Sequence, residues 1–244
     1  VGVDAISGTL SRVPGDIVGS YAIEQNTLTA GTNYTLTYID GSLTIGTAAL
    51  EVTGDALSKV YGQVDPALSW QITSGALVGV DAISGALTRA SGEDVGAYAI
   101  EQGTLTAGTN YTLTYIDGTL TIGTAAIEVT ADDQSRIYGQ VDPALSYTIT
   151  GGALVGVDAI SGALTRVAGE DVGAYAIEQG SLTAGTNYSL TFIDGTLTIG
   201  TAALEVSGDA LSKIYGEVDP ALGYTITGGA LVGVDAISGV LARA

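Results

Sequence analysis

The sequence predicts an all-β fold: a tandem array of small antiparallel β-sandwich modules, Ig-like or related, following one another as an elongated rod. The first observation is repetition. The octapeptide VGVDAISG starts at Val1, Val78, Val155 and Val232, an even spacing kept without insertion or deletion, so each copy is a whole small domain. The second is alternation, since within every copy apolar residues alternate with Thr between Gly-rich turn signals, the pattern of half-buried strands. The third is the lack of helical period. Only Val157–Gly162 reads as a helical turn, capped by Asp158, and Gly162 would end it at once.

Module phase follows from Ile122-Gly-Thr-Ala-Ala-Ile127 and its counterparts at Ile45 to Leu50 and Ile199 to Leu204, where one strand-like run stops and another starts. Residues 47–123 and 124–200 are then complete modules, 1–46 the C-terminal part of one and 201–244 the N-terminal part of another. A chain starting inside a repeat is expected to be a window from a longer polypeptide. A domain of about 77 residues buries little more than about 60% of its unfolded surface. Contacts with neighbouring modules are therefore expected to add stability, and linkers this short restrict orientation, giving a semi-rigid rod.

In chain order within a module, Ala126-Ile-Glu-Val-Thr130 and Leu145-Ser-Tyr-Thr-Ile-Thr150 read as strands, with Tyr138-Gly-Gln-Val-Asp-Pro143 as the turn between them. Gly96-Ala-Tyr-Ala-Ile-Glu-Gln102 reads as the next strand. In Tyr111 to Ile122, Asp117-Gly118 supplies a two-residue turn that pairs Ile116 with Thr119, Tyr115 with Leu120 and Leu113 with Ile122, closing a hairpin and a three-stranded meander. The same hairpin is expected at Asp40-Gly41 and Asp194-Gly195.

The chain holds 26 acidic residues against 7 basic ones, for a net charge of −19, with no cysteine and no histidine. Phosphate neutralisation is thereby excluded as a binding mode, so nucleic acid is not a partner. Anionic membrane surfaces are disfavoured and no apolar run spans a bilayer, so no membrane insertion is expected. The Ser-His-Asp, Cys-His and zinc-ligand constellations cannot be assembled, and no enzymatic activity is expected.

Tyr61-Gly-Gln with Asp65-Pro66 and Leu68, then Gly96-Ala-Tyr98-Ala-Ile100, then Asn110-Tyr111-Thr-Leu-Thr-Tyr115-Ile-Asp-Gly118-Thr-Leu-Thr-Ile122 together resemble the MBG repeat domain of the YGX type. The resemblance covers the whole repeat. It implies non-catalytic modules of very large bacterial surface and secreted adhesins, hence an extracellular location. Ala99 and Asp117 depart from the proline and asparagine common in that family, without altering strand or turn. Asp94-Val-Gly-Ala-Tyr98 is also similar to the tyrosine corner of immunoglobulin domains, although the first copy has Ile17 in place of the aspartate.

Acidic pairs are the candidate metal ligands. Glu93-Asp94, Glu170-Asp171 and Asp132-Asp133 could supply Ca²⁺ with oxygens, which it takes in numbers of six to eight. Against this, no copy has Asp-x-Asp-x-Asp-Gly spacing, and Ala210 stands where Asp133 would recur. Lys59 and Lys213 are matched by Arg136, which rules out a Lys-to-Asn cross-link in every repeat. The sequons at Asn33, Asn110 and Asn187 fit turn-to-strand positions, and the matching Trp70, Tyr147 and Tyr224 fit strand packing.

The expected role is a stalk or extender that projects a distal binding domain from the cell. Two alternatives stand beside it. The partial end modules could be completed by strand complementation between copies, giving an extracellular filament. The repeated surface could also bind glycans weakly and multivalently.

Overall fold

A computed structural model describes residues 4–243. The chain divides into two compact units, Val1–Gly123 and Thr124–Ala244. In the first, β1 (Ser11–Arg12), β2 (Gly19–Glu24) and β3 (Gly41–Ile45) form a small antiparallel sheet. A complete module follows, built from β4 (Ala48–Gly54), β5 (Ala56–Val60), β6 (Trp70–Ser74), β7 (Thr88–Arg89), β8 (Gly96–Glu101), β9 (Tyr111–Ile116) and β10 (Gly118–Gly123). Its strands sort into two sheets, of order β6-β4-β9 and β5-β10-β8-β7.

The second unit repeats the module with β11 (Ala125–Ala131), β12 (Gln134–Ile137), β13 (Tyr147–Gly151), β14 (Thr165–Arg166), β15 (Gly173–Glu178), β16 (Tyr188–Ile193) and β17 (Gly195–Gly200). It closes with the antiparallel pair β18 (Glu205–Gly208) and β19 (Tyr224–Gly228). No helix occurs among the described residues, so the chain is an all-β repeat array.

The sheets are mixed, and here the structure departs from the expected hairpin. β9 pairs with β4 in parallel, from Ala48 opposite Tyr111 to Thr53 opposite Ile116. After Asp117 the chain continues into the other sheet, where β10 pairs in parallel with β5, from Ala56 opposite Thr119 to Val60 opposite Gly123. The sequence offset between partners is the same in both sheets. Residues 48–60 and 111–123 therefore form one parallel ribbon whose two strands change sheet side by side, as strands do at sandwich corners. Asp117-Gly118 is a bend in a continuing strand. Gly118 is not among the residues with positive φ, which a type I′ turn requires at both central positions. It is glycine for a different reason: a Cβ there would lie 2.5 Å from the Asp55 carbonyl oxygen and 2.6 Å from the Gly54 carbonyl carbon. The second unit builds the same ribbon, Ala125 to Thr130 on Tyr188 to Ile193 and Gln134 to Ile137 on Leu197 to Gly200.

Two further expectations change with it. The meander does not form, because β8 pairs with β10 and skips β9. An additional strand, β12, precedes the Tyr138 turn; its polar sequence Gln-Ser-Arg-Ile hides it, since its partner β17 stands at the far end of the module. The octapeptide is a turn and not a helix, closed by the Asp81 N–H donating to the Val78 carbonyl at 3.0 Å.

Period-2 burial explains the ribbon's sequence. Leu50 and Val52 of β4 and Leu120 and Ile122 of β10 are 0–1% exposed, while Glu51 and Thr121 between them face the other way. Leu50 and Val52 pack with Leu105, Ala107 and Tyr111, and Leu120 and Ile122 pack with Ile100. Leu87 touches both clusters, so the segment between β6 and β8 seals both sheets. Trp70 packs against the first cluster, as strand packing requires.

Candidate functional site

The seven basic residues of the chain occupy only two positions of the repeat: Lys59, Arg136 and Lys213 at one, Arg12, Arg89, Arg166 and Arg243 at the other. The fold brings the two positions together. Lys59 sits on the inner face of β5, with a side chain only 3% exposed, and Arg89 on β7 is 12% exposed. Between them stand Asp65 and Glu93. Lys59 donates to Asp65 at 2.6 Å and also to Glu93, and Arg89 donates to both carboxylates, closing a ring of alternating charge. The cations lie inside and the carboxylates outside, Glu93 being 65% exposed.

The second module repeats the ring with Arg136, Asp142, Arg166 and Glu170; Arg136 reaches Asp142 at 2.6 Å, and Arg166 reaches Glu170 at 2.7 Å. In residues 201–243, Lys213 and Arg243 both approach Asp219. In the first segment, Arg12 pairs with Asp16 at 2.7 Å.

Each ring fixes the charge of its members. Hydrogen bonds from Arg89 and then Lys59 hold Asp65 below the usual carboxylate range, and Lys59 and then Arg89 do the same to Glu93. Asp65 and then Glu93 raise Lys59 above the ordinary lysine value. The ring thus favours the charged form of Lys59 and joins β5 to β7. With every basic side chain engaged in an ion pair, the remaining described surface carries only negative charge.

Beside each ring lies a tyrosine. The Arg89 guanidinium carbon stands 5.6 Å from the centre of the Tyr98 ring. The Tyr98 hydroxyl donates to the Asp94 carbonyl at 2.8 Å, and Tyr175 and Tyr21 do the same to Asp171 and Ile17. The tyrosine-corner likeness is thus realised, and the acceptor is backbone, which is why Ile17 is tolerated. Gly92 has φ +142°, and a Cβ there would run into the Tyr98 ring.

The structure separates the candidate calcium ligands. Glu93 and Glu170 belong to the rings, and Asp94 and Asp171 lend their carbonyls to Tyr98 and Tyr175. Asp132 accepts from Ser146 at 2.7 Å and Thr148 at 2.9 Å, while Asp133 accepts from the Thr196 amide at 2.8 Å. Among the described residues no three acidic side chains gather around a common point. Sequence reasoning missed Asp65, Asp142, Arg89 and Arg166; the confinement of all basic residues to two repeat positions was the signal that could have found them.

Junctions between successive modules are a second recurrent feature. Within the first unit, the Asn110 side-chain oxygen accepts from the Val18 amide at 3.1 Å, which ties β9 to the preceding segment and assigns the Asn of that sequon a structural task. A cavity of about 200 Å³ lies there, between Val18 and Ile45 on one side and Val78 and Asp81 on the other. Within the second unit a cavity of about 260 Å³ lies between Tyr138 and Val172 and the later Val232 and Asp235. Val172, Val232 and Asp235 lie two periods after Val18, Val78 and Asp81, so the two junctions are built from the same parts. Asp235 hydrogen-bonds the Tyr138 hydroxyl and raises its pKa. Asp81 accepts from Tyr111 at 2.8 Å, and Tyr111 in turn accepts from the Val78 amide at 2.7 Å, so the octapeptide is held to β9 next to the junction.

No curated protein and no solved structure gives a significant match. The family model of the MBG domain, YGX type, matches residues 1–44, 50–121 and 127–198, in register with the repeated sheets, rings and junctions. The chain belongs to the MBG domain family of the YGX type.

Proposed function

We propose that this chain is a non-catalytic stalk, or extender, of a bacterial cell-surface or secreted adhesin, holding a distal binding domain away from the cell. The observation that carries this reading is the recurrence of one junction, Val18 and Val78 with Asp81 in the first unit, Val172 and Val232 with Asp235 in the second. One contact set used at both described junctions supports a length that grows with copy number. Family membership supports a repeat region of a surface protein. The internal engagement of every basic side chain leaves an acidic exterior suited to keeping such an array soluble. An in-frame deletion of residues 47–123 rejoins Gly46 to Thr124 and recreates the native Gly-Thr linker. An antibody to this region should label intact producing cells before and after the deletion, with the reach of the distal epitope shortened by one module. Labelling only after permeabilisation, or unchanged reach, would reject the reading.

A further inference from the structure

We infer that each module is a mechanical clamp, loaded in shear when the array is pulled along its chain. The source of tension rests on the stalk reading; the clamp itself rests on topology. The first and last strands of a module, residues 48–60 and 111–123, are the two strands of the parallel ribbon. The chain enters at Ala48, opposite Tyr111, and leaves at Gly123, opposite Val60. Entry and exit therefore lie at opposite ends of the ribbon. Tension drags one strand lengthwise past the other, so that all ladder hydrogen bonds from Ala48 to Val60 bear load together and must fail together. A hairpin pulled at its open end would instead lose its bonds one at a time.

Three features strengthen the clamp. Leu50, Val52, Leu120 and Ile122, each 0–1% exposed, keep water from competing for the ladder bonds. At the sheet change, Gly118 packs directly against the backbone of Gly54 and Asp55, so the two strands stay in contact through the bend. Lys59, near the exit end, is tied by Asp65 and Glu93 to Arg89 on β7, which joins the ribbon to the rest of its sheet. Until the ribbon fails the module yields no length; on failure it releases residues 48–123, roughly 250 Å of chain at about 3.3 Å per residue. Forced rupture is set by the unfolding barrier, so this geometry protects extended length where equilibrium stability alone would not.

Because the chain has no cysteine, introduced pairs serve as unique handles for single-molecule pulling. In the whole chain, Thr47→Cys with Thr124→Cys loads the first complete module in shear. Val64→Cys with Thr124→Cys places both handles at the exit end and peels β5 from β10; Val64 is 89% exposed. The expected result is a rupture force several times higher for the first pair, with the longer release of chain. Thr124→Cys with Thr201→Cys, against Val141→Cys with Thr201→Cys, repeats the comparison on the second complete module should the first pair disturb folding. Equal forces, or a higher force on peeling, would overturn the clamp while leaving the stalk reading intact. Absence of the region from the cell surface would sink the stalk and leave the force difference unaffected.

Discussion

Gly54 and Gly118 meet where the two ribbon strands change sheet, so closely that a Cβ on Gly54 would lie 2.7 Å from the Gly118 amide nitrogen. The two positions are not equivalent. Ala131 takes the place of Gly54 in the next module and is accommodated there, whereas the counterpart of Gly118 is Gly195, where a Cβ would lie 2.6 Å from the Ala131 carbonyl oxygen. Gly118→Ala is expected to destabilise by about 1–3 kcal/mol through overpacking against backbone. Gly54→Ala made together with Tyr115→Phe, the pair that stands as Ala131 and Phe192 in the next module, should cost clearly less, because a Cβ on Gly54 alone would run into the Tyr115 hydroxyl. Chemical denaturation of both variants checks the order, and a larger loss for the double variant contradicts it.

Gly92→Ala should be costly for a separate reason. Its φ of +142° disfavours any side chain, and the new methyl would enter the Tyr98 ring that stacks on Arg89. A loss of about 1–3 kcal/mol is expected from the backbone strain alone. Gly108→Ala makes a useful comparison, since φ is +79° there but no atom lies within 4 Å of the new carbon. Melting curves should place Gly92→Ala below Gly108→Ala.

The ion rings set the pH response. Asp65, Glu93, Asp142 and Glu170 have folded-state pKa values below their unfolded ones, so their contribution is present above the unfolded carboxylate range near about 4 and is lost as pH falls through the depressed values. Lys59 has a raised value, so its contribution is complete below the unfolded lysine value near about 10.4 and is lost as pH rises through the folded one. The melting temperature should therefore fall at both extremes. In Lys59→Arg the alkaline loss of the first complete module should shrink to the part that comes from Tyr111 and Tyr115, whose burial raises their pKa values, while the acid loss remains. An unchanged alkaline limb would show that the ring does not hold Lys59 as described.

Charge in the ring also predicts an uncrosslinked chain. Intact mass should equal that of the sequence, because Lys59 is held protonated between two carboxylates. A shortfall of one ammonia or one water would reveal an amide and contradict the assignment.

Leu120, fully buried in β10, should cost about 2–5 kcal/mol when replaced by alanine. Val80, in the octapeptide turn, is 100% exposed, and Val80→Ser should stay within about 0.5 kcal/mol of the parent. Urea unfolding midpoints should separate the two clearly.

Whatever is written locally is legible in the sequence. The period, the strands around Val129, Ile149, Tyr98 and Leu120, and the Tyr98 corner all follow from alternation, turn residues and short spacings. The path between strands is not. Asp117-Gly118 flanked by alternating Leu and Thr fits a hairpin and an uninterrupted strand equally well, and what decides is a partner at the opposite end of the module, in β4 and β5. The clue is a second copy of the pattern: Leu50-Glu-Val-Thr-Gly-Asp-Ala-Leu57 alternates around Gly54-Asp55 as Leu113 to Leu120 does around Asp117-Gly118. Two runs with matching breaks can bend together. The ion ring is hidden for a related reason, since Glu93 and Asp65 are distant in sequence and meet only through Lys59 and Arg89.

The parallel ribbon is the claim on which the rest depends, and disulfide trapping tests it most directly, since a disulfide needs Cα atoms within about 7 Å. Ser58 and Thr121 lie opposite each other on the outer face of β5 and β10, and both are exposed. Thr114 and Thr121 would be neighbours only if Asp117-Gly118 closed a hairpin; in a continuing strand they are about 23 Å apart. On mild oxidation the whole chain carrying Ser58→Cys with Thr121→Cys should form an internal disulfide, and the chain carrying Thr114→Cys with Thr121→Cys should stay reduced. The reverse outcome would contradict the ribbon and, with it, the clamp.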